Sequence, residues 1–141
     1  MSDAAGGVAY VDTSALVKLV VREAESDVLE RELTTWRGLA TSSITTIELR
    51  RAARRARAGG RDVVADDDTI GLLLDALAEI PLSAAVRQTA ATLEPAQLRT
   101  LDAIHLASAL ALRDDLGVVI TYDARMASAA AELGLNVAAP A

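Results

Sequence analysis

A chain of 141 residues has room for one domain with at most a short arm. Half of it is hydrophobic (52%) and a quarter is charged (24%), enough apolar material for a core and too much for disorder. With no cysteine and a single histidine, His105, disulfide frameworks, thiolate–metal sites and thiol nucleophiles are excluded. A net charge of −6 speaks against a generic electrostatic nucleic-acid binder. No run of about 18 apolar residues occurs, and no basic-then-apolar leader opens the chain, so the expectation is a soluble, cytoplasmic protein.

In chain order, residues 1–6 read as a flexible arm. Val8 to Val11 is a short apolar run of the kind a fully buried strand shows. It ends at Asp12, Thr13 and Ser14, residues that cap helices, and a helix follows with Ala15, Leu16, Leu19 and Val20 as its apolar positions. A second helix is predicted from Glu25 to Trp36, a strand at Gly38 to Thr41, and a third helix from Ser43 to Arg57 that stops at Gly59-Gly60. After Asp66 to Asp68 comes a helix carrying Ile70, Leu73, Leu74 and Leu77, then a brief strand at Ile80 to Leu82. Ser83 to Leu93 reads as a helix, Thr100 to Leu116 as a long one, and Gly117 to Thr121 as a strand. Asp123 opens a helix closing at Gly134, and Asn136 to Ala138 offers a last strand. Short apolar strands alternating with helices predict a single α/β/α sandwich around a mainly parallel sheet.

In such a sheet ligands bind beyond the carboxyl ends of the strands. Asp12 and Asp123 follow strands, Asp102 opens the helix that leads into the Gly117 strand, and Glu48 lies near the start of the helix after Gly38 to Thr41. Four carboxylates spread over the sequence are thus predicted to meet at one edge. Taken singly, Asp12, Asp102 and Asp123 also sit where an N-cap is expected. Glu48 shares a helix face with Ile44 and Ala52, beside Ile47, so it needs a partner: an arginine or a cation. Two carboxylates about 4 Å apart repel by roughly 4 kcal/mol at an effective dielectric of 20, so an uncompensated quartet would consume a domain's whole stability of ~5–15 kcal/mol. Oxygen donors alone suit Mg²⁺ or Mn²⁺, which points to phosphodiester chemistry.

Four blocks, AYVDTSALVKL, SSITTIELRRA, LRTLDAIHLASAL and VVITYDARMASAAAELGLNV, occur in an order and spacing that resembles the PIN-domain ribonucleases, and within them the VapC-type toxins, over essentially the whole chain. The resemblance implies a PIN-like fold and a Mg²⁺-dependent endoribonuclease with Asp12, Glu48, Asp102 and Asp123 as its acidic quartet. Within it, Asp12 and Asp102 are the usual Mg²⁺ ligands, Glu48 and Asp123 complete or position the metal cluster, and Ser14 and Thr121 are the supporting hydroxyls. It also implies a VapB-type antitoxin, RNA as substrate and a homodimer. Leu16, Leu19, Val20, Val28 and Leu29 are the apolar surface considered for partner contacts. Where members often carry a large apolar residue after the last acid, this chain has Arg125 and Met126; Gly59 to Asp68 matches nothing in the pattern.

Other residues have plainer readings. His105 reads as structural or rim-lining, since no nucleophile-elbow pattern accompanies it. The arginine group from Arg50 to Arg61 reads either as a solvated face or, through Arg50 and Arg54, as a phosphate contact. Trp36 reads as packing, and three aromatics (Tyr10, Trp36, Tyr122) are too few for binding by base stacking. Rival functions are an RNA-processing nuclease of the same fold without an antitoxin and a non-catalytic scaffold. A nucleotide-binding domain lacks its glycine-rich loop.

Overall fold

The computed structural model describes residues 7–141; the arm expected at 1–6 lies outside the described residues. The chain runs β1 (Val8–Val11), α1 (Thr13–Val20), α2 (Ser26–Leu33), β2 (Gly38–Ser42), α3 (Thr45–Ala58), α4 (Asp67–Asp75), β3 (Ala78–Ile80), α5 (Ala84–Thr92), α6 (Thr100–Leu110), β4 (Leu116–Ile120), α7 (Ala124–Glu132) and β5 (Val137–Ala138). The strands form one sheet in the order β3-β2-β1-β4-β5, and every pairing is parallel. The α/β/α sandwich expected from alternating strands and helices is therefore the fold.

Both faces of the sheet are covered, which is why the central strands are apolar at every position rather than alternately. Ala9, Val11, Val118 and Ile120 pack on the side of α1 to α4, with Leu16, Val20, Leu29, Leu49 and Ile70. Tyr10 and Val119 face the other side, against Ala109 of α6, and Leu106 of α6 meets Met126, Ala129 and Ala130 of α7. Leu16, Val20 and Leu29 are thus core residues, with at most 1% of their surface exposed, and are not available to a partner as the sequence suggested. Large apolar side chains that do reach solvent are Ile47, Val64, Leu72 and Leu101.

Three boundaries differ from the expected ones. Helix α2 ends at Leu33, where the Thr34 and Thr35 hydroxyls donate to the Arg31 and Glu32 carbonyls and take over the role of the next helical turn. Helix α6 stops at Leu110 rather than reaching Leu116. Asp114 and Asp115 would have stood at the negative end of its dipole, and the chain instead turns through Arg113 at φ 52° into a short 3₁₀ turn. Strand β3 lies at Ala78–Ile80, before Pro81, whose missing N–H cannot serve a ladder. Gly117 is required for a different reason: the Trp36 ring lies where a Cβ would project. Trp36 packs on the core as expected and donates from Nε1 to Glu32, 2.9 Å away.

Candidate active site

Topology fixes the site. Strands β1 and β4 are neighbours, so Asp12 and Thr121 leave the sheet side by side at its carboxyl edge, the Asp12 amide donating to the Ile120 carbonyl. Helix α3 begins at this edge after β2. Helix α6 runs back along the sheet to feed β4, so its N-terminal turn, with Asp102, arrives there too.

Asp12 is almost wholly buried, 3% exposed. It caps α1 by accepting from the Ala15 amide at 3.0 Å. It also accepts from the Ser14 hydroxyl at 2.7 Å and the Thr121 hydroxyl at 2.6 Å. Thr121 in turn accepts from the Asp123 amide (3.0 Å) and Ser14 from the Tyr122 amide (2.9 Å), which ties Asp12 to the β4–α7 loop. Burial pushes the Asp12 carboxyl above its ordinary range despite these three bonds. Asp123 caps α7, accepting from the Arg125 and Met126 amides at 2.9 and 3.2 Å.

Asp102 is not a cap: Arg99 holds that position and the Asp102 carboxylate makes no hydrogen bond or ion pair among the described residues. It stands in the first turn of α6, half-buried. Burial first, then the negative charges of Asp123 and Glu48, raise its pKa, while His105 and Arg99 oppose them. The N-terminal end of α6 favours a carboxylate in its first turn, while burial and the neighbouring acids oppose its charge.

Glu48 lies half-buried in the first turn of α3. Its partner is neither of the two anticipated. Glu48 Oε1 accepts from the Thr13 hydroxyl (2.6 Å) and lies 2.7 Å from His105 Nε2. His105 Nδ1 is 2.6 Å from the Tyr10 hydroxyl, which itself accepts from the Ser42 amide at 3.1 Å. Burial pushes the Tyr10 phenol up so that it keeps its proton, and phenol, imidazole and carboxylate form one continuous chain of hydrogen bonds. Burial raises the Glu48 carboxyl, but the bonds from His105 and Thr13 and the charges of His105 and Arg55 outweigh it and leave Glu48 below its ordinary value.

His105, read from the sequence as structural or rim-lining, is a buried post acting on Asp12, Glu48 and Asp102 at once. Thr13 and Tyr10 went unnoticed. The only sequence signal for them was position, Thr13 beside the first acid and Tyr10 one residue from the end of its strand. On α3, Arg50 points at α4, reaching the Asp67 carbonyl at 3.4 Å, and Arg54 is exposed. Arg55, on the Glu48 side of the helix, is the one whose charge reaches the site.

No group of three or more acidic or histidine side chains is arranged to hold a metal ion among the described residues. That does not disqualify Mg²⁺, which keeps most of its waters and commonly takes one or two protein carboxylates. The donor chemistry fits such an ion: oxygen ligands only, two of them on carboxyls that burial and like charges hold above their usual range. A cavity of about 690 Å³ between α5 and α6 is lined by none of the four acids, whereas a cleft of about 440 Å³ between α6 and α7 has Asp102 among its lining residues.

Comparison with known proteins identifies the family. The model of the PIN domain matches residues 9–132, spanning all four acids. The chain belongs to the PIN-domain family. It is 43% identical to ribonuclease VapC46 of Mycobacterium tuberculosis strain H37Rv and 39% identical to ribonuclease VapC47 of strain CDC 1551. Each alignment spans 93% of this chain and 96% of the relative. Among solved structures, a toxin–antitoxin complex from Klebsiella pneumoniae superposes with TM-score 0.69 at 22% identity, over 94% of this chain and 98% of that one. M. tuberculosis VapC20, a sarcin–ricin loop cleaving toxin, gives 0.56 at 18% identity, over 86% and 94%. At those identities the likeness is one of fold.

Proposed function

We propose that this PIN domain is an endoribonuclease of the VapC kind. In this reading it cleaves RNA phosphodiester bonds with water, needs Mg²⁺ or Mn²⁺, and serves in the cytoplasm as the toxin of a toxin–antitoxin pair. The observation that carries the reading is Asp102, a half-buried carboxylate with no hydrogen bond or ion pair among the described residues, within electrostatic reach of Asp123 and Glu48. Naming of the relatives as ribonucleases supports the reaction, and the toxin–antitoxin complex among the structural neighbours supports a VapB-type partner.

Asp12 and Asp102 would hold the ion. When bound, it would neutralise charge developing on the phosphoryl oxygens and make water acidic enough to attack near neutral pH. Thr121 and Ser14 fix the orientation of Asp12. Glu48, kept ionised by His105 and Thr13 through Oε1, leaves Oε2 to accept a hydrogen bond from the attacking water. Asp123, its Oδ1 fixed by two amides, contributes negative charge from a rigid position. No side-chain nucleophile is required. A second copy of the chain and the antitoxin would use apolar surface that the fold leaves exposed, such as Leu72 and Val64.

Purified protein incubated with total cellular RNA tests the reading. Cleavage is expected with Mg²⁺ or Mn²⁺ and abolished by EDTA and by Asp102→Asn; cleavage that persists in EDTA or in the variant contradicts it.

A further inference from the structure

The acidic edge poses an electrostatic problem for its own substrate. RNA is a polyanion, the protein carries a net charge of −6, and the arginine-rich helix α3 directs Arg50 at the Asp67 carbonyl and pairs Arg57 with Asp67 at 3.7 Å. Of the α3 arginines, Arg55 is the one whose charge reaches the acids, and cations on other elements can add to it. The cleft between the N-terminal turns of α6 and α7 has Arg99, the α6 cap, and Arg125, in the first turn of α7, among its lining residues, together with Asp102. Both arginine side chains are exposed and neither makes an ion pair or hydrogen bond among the described residues. Arg99 is near enough for its charge to act on Asp102. The lining continues with Leu98, Ser128 and Glu132, and the volume of about 440 Å³ is that of a small-ligand pocket.

We propose that this cleft is the subsite for the nucleotide adjoining the scissile phosphodiester. Arg99 and Arg125 grip its phosphate and Ser128 lies within the same cleft as a further polar contact. Resting as it does on the reading of the edge as a nuclease centre, the proposal puts the substrate-anchoring charge on α6 and α7 rather than on α3. A guanidinium is suited to this because it offers two parallel N–H donors to a phosphate, and because two cations on separate elements hold a flexible strand in register without reading its sequence. Glu132 disfavours a second phosphate deep in the cleft and so orients the nucleotide with its phosphate toward the acids. Arg125 also occupies the stretch just after the last acid, where this sequence departs from the pattern of its family.

The test uses the intact protein and a fluorescein-labelled single-stranded RNA 12-mer of mixed sequence, with binding read by anisotropy in EDTA over a series of salt concentrations. Arg99→Ala and Arg125→Ala should each weaken binding about tenfold, and each should lower the slope of log affinity against log salt by about 0.7. Arg→Lys at either position should restore most of the affinity. Arg50→Ala and Arg54→Ala should change binding less than twofold. Thermal melting controls for folding, and these exposed positions should leave it unchanged. An Arg99→Ala/Arg125→Ala variant that binds within twofold of the parent overturns the proposal, as does a greater loss from the α3 variants. Cleavage of total RNA in Mn²⁺ is measured alongside. If the parent cleaves and the double variant has the same KM, the subsite fails while the nuclease stands. If the parent binds through these arginines but never cleaves, phosphate binding by the cleft stands, while the nuclease reading and the cleft's relation to a scissile bond fail.

Discussion

The two edges of the sheet are built on opposite principles. At the amino edge shape decides: the Trp36 ring occupies the space above Gly117 and its indole N–H goes to Glu32. At the carboxyl edge polarity decides: Asp12, Thr41, Ser42, Thr45, His105 and Thr121 are all buried. No buried side-chain polar atom among the described residues lacks a hydrogen bond, yet burial pushes the carboxyls of Asp12 and Asp102 above their ordinary range. Its fully buried polar atoms are all hydrogen-bonded, while its charge is not balanced. Stability alone would favour neutral residues at these positions, so the difference marks the carboxyl edge as the part of the molecule shaped by chemistry.

Substitutions separate the two principles. Asp12→Asn and Asp102→Asn should cut RNA cleavage by at least about a hundredfold, since even the groups that orient metal ligands are worth 10–100-fold. His105→Ala should cost about 2–4 kcal/mol in urea unfolding, because it opens a cavity and strips a partner from both Tyr10 and Glu48. His105→Gln should recover part of that. At the other edge Gly117→Ala should cost about 1–3 kcal/mol by driving a methyl into the Trp36 ring, with no effect on metal-dependent cleavage per folded molecule. Combining it with Trp36→Ala should cost less than the sum of the two changes, which a double-mutant cycle would show.

The smallest effect is also the most diagnostic of charge. Asp102 has a folded pKa above the ordinary aspartate value of 3.8, so its protonated form is the one folding favours. Its contribution to stability is present at low pH and is lost as pH rises through the raised folded value. In EDTA, Asp102→Asn should therefore melt with the parent near pH 3 and above it at neutral pH. A gap that closes as pH rises would contradict the assignment of strain to this carboxylate.

Much of this was legible in the sequence. Short apolar strands, caps and glycine stops determine the alternation of elements, and alternation with right-handed crossovers leaves little choice about where Asp12, Glu48 and Asp123 emerge. Other features depend on pairs far apart in the chain. Tyr10 meets His105 from 95 positions away and Thr13 meets Glu48 from 35, contacts that no local pattern encodes. The same holds for Leu16, Val20 and Leu29, whose helical spacing showed an apolar face but not that α2, α3 and α4 would cover it. The early end of α6 is a conflict between a good helical pattern and two acids at its negative end, in which the acids prevailed.

The central claim is that the carboxyl edge holds an excess of negative charge that a divalent ion relieves. Thermal unfolding of the intact protein with EDTA, Mg²⁺ and Mn²⁺, repeated on Asp102→Asn, addresses it directly. A melting temperature that rises with either ion in the parent and not in the variant is the expected result. Coincident melts of the parent with and without the ions, together with flat calorimetric titrations, would contradict it.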